Sequence, residues 1–274
     1  MFEQNESRDD LAKQTLSTQT LPKISIIVAT CNCADELEQT IKSFIAQTYA
    51  FKELVVVDCA SSDHTLKILT QYASSIDHVV SEKDKGISDA FNKGVKLATG
   101  DYINFQGSGD TFSADNVLSA MMLDVDKTKD MLICGRVERI ANDLNRTRLW
   151  LTENIVNFKK ESLLFKMSLA HQALFTHKDL FKKYGLFDIN NQYCMDYEHL
   201  LRYYSHFPPV IGKDIIVSGW RAGGVGSGKT LEIYKEYDAI KRLHKVAPSW
   251  MLTLINQWLL FKYYTKRLLG FSEH

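Results

Sequence analysis

The sequence has few prolines, no excess of either charge and no long apolar run, and each absence excludes a class of protein. Its 274 residues include four prolines, so no proline-rich linker divides the chain. Lysine plus arginine and aspartate plus glutamate both number 33, so the chain lacks the broad basic field that attracts nucleic acid. No segment reaches the roughly 18 uninterrupted apolar residues of a membrane-spanning helix. We therefore expect one main domain, no nucleic-acid partner and no membrane span.

The N-terminus and the cysteines favour a cytoplasmic protein. The first 20 residues are polar and acidic, whereas a secretory signal has a basic start and an apolar core. The five cysteines contain no CxxC pair, and this pattern favours reduced thiols over a disulfide framework. We predict a flexible polar tail over residues 1–21, one domain over 22–247 and a helical tail over 248–274.

Hydrophobic residues make up 45% of the chain, which is enough for a sizeable core. In the first hundred residues short apolar runs alternate with segments of helical periodicity, and this pattern predicts parallel strands joined by crossover helices. The predicted strands of this α/β region are 23–29, 54–58, 78–82 and 102–105. Beyond residue 113 the rhythm is looser, with further strands predicted at 131–135 and 172–175.

Polar residues follow each of the first four predicted strands. In an open parallel sheet, ligands bind where the strands end, so these residues are expected to share one edge. Three of the strand ends carry acids, at Asp58, at Asp84 and at Asp110. Each alone is typical of a turn, but together they favour Mg²⁺ or Mn²⁺, which in turn suits a diphosphate.

Five segments carry a family resemblance in order along the chain: ISIIVATCN, VVVDCASSDHT, SEKDKGISDAFNKGVKLATGDYINFQGSGD, HQALF and MDYEHLLR. From about residue 22 to about residue 245, the sequence resembles the family 2 glycosyltransferases of bacterial polysaccharide biosynthesis. The resemblance implies a GT-A fold, in which a Rossmann-like, mainly parallel sheet is flanked by helices. It also implies transfer of a sugar from a nucleotide-diphosphate sugar, a UDP-sugar by preference, with inversion at the anomeric carbon.

The resemblance assigns a set of residues to the nucleotide. It places Thr30 and Asn32 near the nucleoside and Asp58 on the base. The residues placed around the nucleotide are Asp84, Lys85, Gly86, Asp89 and Asn92. The carboxylate of Asp58 is a suitable acceptor for a pyrimidine N–H group. Asp89 has a second interpretation, as a solvent-exposed ion pair with Lys93 one helical turn later.

The resemblance also implies the catalytic groups. Asp110 is the expected metal ligand, and Asp196 is the expected general base that deprotonates the acceptor hydroxyl, while His171 and Gln172 are expected near the diphosphate or the acceptor. Gly109 departs from the family pattern, because it replaces an acid expected to contact the ribose. This departure leaves open a non-catalytic protein that binds nucleotide sugars.

A competing motif lies at residues 223–230, where GGVGSGKT matches the P-loop pattern GxxxxGK[ST]. It suggests a nucleotide hydrolase or kinase. Only 44 residues follow Thr230, and their pattern is helical, whereas a P-loop domain needs further parallel strands. Glycine amides in this stretch can also bind the diphosphate of a sugar nucleotide.

The helical tail after Pro248 is rich in tryptophan, leucine and tyrosine and carries cations toward its end. Two interpretations remain open at this stage. The tail lies flat on the inner surface of the membrane, which suits a lipid-linked acceptor, or it packs against the domain or a second subunit. The expected acceptor is a hydroxyl of a glycan or of a lipid-linked molecule.

Overall fold

The structure is a computed structural model that describes residues 21–140, 148–153, 155–221 and 226–269. The predicted tail, residues 1–21, lies outside the described residues apart from its last position. Within these ranges, nine strands form one sheet in the order β3-β2-β1-β4-β8-β6-β9-β5, with β7 paired to β6. The strands are β1 Ile24–Thr30, β2 Lys52–Asp58, β3 His78–Ser81, β4 Tyr102–Gly107, β5 Thr111–Phe112, β6 Leu132–Ile140, β7 Arg148–Leu151, β8 Leu174–His177 and β9 Val210–Arg221.

Helices cover both faces of the sheet and close the chain. They are α1 Ala34–Ile45, α2 Thr65–Gln71, α3 Ile87–Leu97, α4 Val117–Met122, α5 Lys178–Tyr184, α6 Met195–Leu201, α7 Thr230–Leu243 and α8 Ser249–Leu268. The helical tail predicted after Pro248 corresponds to α8. The predicted strand at 172–175 begins two residues later, because a 3-10 turn occupies residues 171–173.

The sheet is parallel in one half and mixed in the other. Strands β3, β2, β1 and β4 are all parallel, as predicted. Beyond β4 the sheet is mixed, because β8 runs antiparallel to both β4 and β6 and β5 runs antiparallel to β9, whereas β6 and β9 pair in parallel. Antiparallel neighbours do not need helical crossovers.

Strand β1 is covered on both faces, which explains its unbroken apolar sequence. Ile24, Ile26 and Val28 belong to one hydrophobic cluster, whereas Ile27 belongs to the other, together with Phe91 of α3. Helix α3 approaches the sheet closely at Gly94. A Cβ atom there would lie 2.3 Å from Ile27 Cγ2, so this contact requires glycine.

Glu53 connects the amino ends of the parallel strands. Its carboxylate accepts hydrogen bonds from Ser25 Oγ (2.5 Å) and from the amide and hydroxyl of Thr99 (both 2.6 Å). Lys23 Nζ lies 2.5 Å from Oε2. Burial by itself raises the pKa of Glu53, but the hydrogen bonds from Lys23, Ser25 and Thr99 lower it to about 2. Glu53 is therefore ionised in the folded chain and holds three segments together.

We predict that Glu53→Gln lowers the free energy of unfolding by about 2 kcal/mol, because charged hydrogen bonds to a buried carboxylate are lost. Folding lowers the pKa of Glu53. The contribution of Glu53 to the free energy of unfolding is therefore complete above pH 4.5 and is lost as the pH falls toward 2. Urea unfolding between pH 2 and pH 7 measures both effects. The exposed Glu161→Gln is the control, and equal stability of the two variants at pH 7 would contradict the prediction.

Candidate active site

The carboxyl ends of β1 and β2 form a connected edge. Asn32 adopts a left-handed backbone (φ 50°), and its amide donates to Ser61 Oγ at 2.8 Å. Its side-chain oxygen accepts from the amide of Ser62 at 2.8 Å. Thr30 ends β1, and its hydroxyl is buried with no hydrogen-bond partner among the described residues. Thr30 and Asn32 thus lie at the carboxyl end of β1, and their contact with a nucleoside stays a prediction.

Asp58 is fully buried, with 0% of its surface exposed. Its carboxylate accepts hydrogen bonds from the amide and hydroxyl of Ser61 and from Ser81 Oγ at 2.6 Å. The direct contact predicted between Asp58 and a base needs an accessible oxygen, so this conformation does not support it. The structure instead gives Asp58 the role of organising the segment that begins at Ser61.

Cys31 and Cys59 form a disulfide, with Cα atoms 5.2 Å apart. The expectation that all five thiols are reduced is therefore wrong for this pair. The two cysteines are 28 residues apart in sequence, but parallel pairing of β1 with β2 brings the residues after each strand side by side. The disulfide joins the two strand ends at the edge where the nucleotide is expected.

The segment after β3 shows mainly local contacts. Asp84 accepts from the amide of Gly86 at 2.9 Å, and Asp89 accepts from the amide of Lys85 at 3.1 Å. Asp89 also lies 3.6 Å from Lys93 Nζ, so the ion-pair interpretation of Asp89 describes this structure. The side chains of Asp84 and Lys85 remain partly or fully exposed at the edge.

Asn92 does not face the edge. Its side-chain amide donates to the carbonyl of Phe187 at 2.8 Å, and its oxygen accepts from the amide of Phe187 at the same distance. Both polar atoms of Asn92 are thus used to hold the segment between α5 and α6. The nucleotide-binding role that the resemblance implies for Asn92 is not supported, because both polar atoms of its side chain are hydrogen-bonded to Phe187.

Asp110 is a buried acid at the end of the segment that follows β4. It accepts hydrogen bonds from the amide of Gly107 at 2.7 Å and from the side chain of Gln172. Burial raises the pKa of Asp110 to about 7 in spite of these two hydrogen bonds. Within the described structure this buried carboxylate has no basic partner, so its ionised form is disfavoured relative to its protonated form. A bound cation would favour the ionised form instead.

Gly109 adopts a φ of 92°, a conformation that disfavours any other residue. Its amide donates to Thr40 Oγ1 at 2.9 Å, and a Cβ atom there would lie 3.5 Å from Glu36 Cβ. The side chain of Glu36 therefore begins beside the position where the resemblance implies an acid. The sequence alone does not indicate Glu36, because it lies on α1, far from Gly109 in sequence.

One 3-10 turn connects the two predicted catalytic acids. Gln172 in this turn bonds Asp110, and the adjacent His171 has its Nδ1 atom 3.6 Å from Asp196 Oδ2. Burial lowers the pKa of His171 against the opposing effect of Asp196, so the imidazole is neutral, and its Nε2 has no partner in the described part of the chain. Asp110 and Asp196 therefore lie on the same side of the molecule, because they contact Gln172 and His171, which are adjacent in the chain.

Buried amides hold this turn in place. The carbonyl of Gln172 accepts from Asn104 at 3.1 Å and from Gln106 at 2.9 Å, and Ser218 of β9 in turn donates to Gln106. Asn104 and Gln106 are not among the site residues predicted from the sequence. Two amides within an otherwise apolar strand were a signal that could have found them, because a buried amide must be hydrogen-bonded.

Helix α6, which carries Asp196, is anchored by a buried acid two residues later. Glu198 accepts from Arg202 Nε at 2.9 Å and contacts His244 Nε2 at 2.7 Å. Burial would raise the pKa of Glu198, but the hydrogen bonds from His244 and Arg202 lower it to about 2. Arg202 also donates to the carbonyls of Tyr184 and Leu186. The position of Asp196 thus depends on contacts with α5 and α7.

The P-loop-like stretch lies partly outside the described residues, which resume at Gly226. From there a turn leads into α7, and Lys229 is exposed. Only α7 and α8 follow in the described part of the chain, and no strand. None of the helices described is long and apolar enough to cross a membrane.

A model of the family described as "Glycosyl transferase family 2" matches residues 25–184, which is more than half of the chain. The chain belongs to glycosyl transferase family 2. A PGL/p-HBAD biosynthesis glycosyltransferase of Mycobacterium bovis (strain BCG / Pasteur 1173P2) is 28% identical over 86% of this chain and 91% of its own length. An uncharacterized glycosyltransferase of Rickettsia prowazekii (strain Madrid E) is 30% identical over 67% of this chain and 59% of its own length.

Solved structures agree with the family. TarS 1-349 of S. aureus in complex with UDP-GlcNAc superposes with a TM-score of 0.67 at 16% identity, over 89% of this chain and 73% of that one. The mannosyltransferase PcManGT of Pyrobaculum calidifontis in complex with GDP-Man and Mn²⁺ gives a TM-score of 0.64 at 17% identity, over 91% and 77%. The GT-A fold is confirmed, and the family 2 chain is a glycosyltransferase.

We predict that Asn92→Ala lowers the free energy of unfolding by about 2 kcal/mol, because it leaves the buried amide and carbonyl of Phe187 unpaired. The exposed Asn190→Ala, in the same connecting segment, is the control and is expected to have a smaller effect. Thermal and urea unfolding of both variants provide the measurement. Unchanged stability of Asn92→Ala would show that the two hydrogen bonds do not hold this segment.

Proposed function

We propose that this family 2 glycosyltransferase transfers a sugar, with inversion, from a UDP-sugar to a hydroxyl of a glycan or a lipid-linked acceptor. The observation that carries the proposal is the turn at residues 171–173, which contacts Asp110 on one side and Asp196 on the other. A displacement at the anomeric carbon needs a base for the incoming hydroxyl and a stabilised leaving group on opposite sides of one sugar.

In this mechanism Asp196 is the general base. It accepts the proton of the acceptor hydroxyl, and the oxygen attacks the anomeric carbon from the face opposite the diphosphate. Burial lowers the pKa of His171, which lies beside Asp196, and so disfavours a proton on the imidazole; we assign the base role to the carboxylate. Inversion follows from a single in-line displacement.

The residues at Asp110 suit a divalent cation that is shared with the substrate. No three His, Cys, Asp or Glu side chains converge on a metal position within the described ranges. Mg²⁺ is commonly held by one or two carboxylates together with substrate phosphates, and one buried carboxylate fits that arrangement. When bound to Asp110, Mg²⁺ or Mn²⁺ would offset the charge that develops on the leaving diphosphate.

Nucleotide binding is assigned to the edge formed by Thr30, Asn32, Asp84, Lys85 and Gly86. The unpartnered hydroxyl of Thr30 supports this assignment, because a bound nucleoside can supply the missing partner. The complexes of TarS with UDP-GlcNAc and of PcManGT with GDP-Man support a nucleotide sugar as the donor. The side chain of Glu36 begins next to Gly109, and we assign to Glu36 the ribose contact for which the resemblance implies an acid at position 109.

We predict that Mn²⁺ strengthens UDP binding to the native chain and that Asp110→Asn removes this enhancement. A neutral amide cannot balance the charge of the cation, so we expect at least about a tenfold loss of the metal-dependent affinity. Isothermal titration calorimetry with UDP, once in the presence of Mn²⁺ and once in the presence of EDTA, measures this affinity. An equal Mn²⁺ effect in Asp110→Asn would place the cation elsewhere.

We predict that Asp196→Asn lowers kcat by at least about 100-fold, the usual contribution of a general base. UDP binding should stay unchanged, because Asp196 acts on the acceptor. The measurement is release of UDP from a panel of UDP-sugars, with Asp179→Asn as an exposed control. Native protein that binds UDP with Mn²⁺ but shows no turnover with any donor would favour the non-catalytic alternative.

The same assay separates the P-loop alternative. Lys229→Ala would abolish all activity of a P-loop enzyme, because the lysine of that motif contacts the β- and γ-phosphates. In the mechanism proposed above, the exposed Lys229 has no role in the chemistry, and most activity should remain.

A further inference from the structure

The outer face of α8 is a continuous apolar surface. Its members recur every three or four residues, which places them within an arc of about 120° on a helix. They are Trp250, Leu254, Trp258, Phe261, Tyr264 and Leu268, and all are exposed. Trp250 and Phe261 are 67% and 69% exposed, so the face has no cover in the described structure. We call these six residues the α8 face.

The opposite side of α8 is firmly packed. Leu252, Ile255 and Leu259 are buried, and Ile255 and Leu259 form a cluster with Leu164. The ring of Phe165 contacts Trp258 edge to face, with centroids 6.0 Å apart, and Phe165 is itself exposed. The α8 face is thus fixed to the domain, and Phe165 extends the apolar surface beyond the helix.

The charged residues of α8 itself are all of one sign. Helix α8 contains no aspartate or glutamate, and its cations are Lys262, Lys266 and Arg267. By the same helical periodicity, Lys262 and Arg267 lie on opposite borders of the face. Lys262 Nζ lies 5.2 Å from the centre of the Trp258 ring, so its aliphatic stem follows the apolar surface while its charge stays at the border.

We propose that the α8 face binds the surface of an anionic phospholipid bilayer, with α8 parallel to the membrane plane. Exposed tryptophan and tyrosine are typical of the membrane–water interface, and flanking lysine and arginine complement anionic headgroups. The other occupant of such a face, a second copy of the chain, is distinguished by the test below. The inference does not depend on the transferase mechanism, since it concerns a surface outside the candidate active site.

The test uses the full chain and vesicles without any sugar donor. Flotation is measured with phosphatidylcholine vesicles and with vesicles that also contain phosphatidylglycerol. We expect binding to the anionic vesicles, weaker binding to the neutral ones and a decrease as salt is raised. Tryptophan fluorescence should shift to the blue on binding, because Trp250 and Trp258 leave water.

Two variants separate the apolar and the charged contributions. Phe261→Glu should reduce binding to anionic vesicles at least tenfold, whereas Leu123→Glu, at a residue 64% exposed outside the face, should bind like the native chain. Replacement of both Lys262 and Arg267 by glutamine should reduce binding about thirty-fold at low salt, and only on anionic vesicles. Thermal unfolding should be unchanged in every variant, since none of these side chains is buried.

Three results would overturn the inference. Absence of binding to both kinds of vesicle is the first, and equal binding to neutral and anionic vesicles is the second. The third is a dimer in sedimentation that Phe261→Glu dissociates, without vesicle binding, which would assign the α8 face to a second copy of the chain. Loss of sugar transfer with intact vesicle binding would concern the proposed mechanism alone.

Discussion

The hydrogen bonds that Asn104 and Gln106 donate to the carbonyl of Gln172 fix the geometry on which the candidate active site depends. They attach the turn at residues 171–173 to the central strand β4. Asp110, which follows β4, contacts this turn at Gln172, and Asp196, on the helix after β8, contacts it at His171. Without this attachment, the turn that contacts both acids would not be fixed to the sheet.

Buried carboxylates serve two opposite purposes in this structure. Glu53 and Glu198 are surrounded by donors, and hydrogen bonding lowers the pKa of each to about 2, so they act as ionised structural anchors. Asp110 is equally buried but has few donors, and burial raises its pKa to about 7. A charge that the protein leaves unbalanced is available to a ligand that can balance it.

The parallel half of the fold was predictable, because unbroken apolar runs and helical periodicity are local signals. The mixed half was not, since antiparallel pairing of β8 depends on a turn that sequence periodicity does not record. At the site, proximity of Asp110 and Asp196 was expected from the family resemblance and agrees with the structure. The inward direction of Asn92, the burial of Asp58 and the pairing of Cys31 with Cys59 arise from three-dimensional contacts that residue type alone does not specify.

The backbone at Gly109 limits how this chain can change. With φ at 92°, any side chain with a Cβ atom would be strained there by about 1 kcal/mol or more. Restoring the acid usual in the family would therefore require the loop to adopt another path, including a new partner for Thr40. Glycine at this position therefore belongs to the conformation of the loop between β4 and β5, and an acidic residue there would come with a different loop.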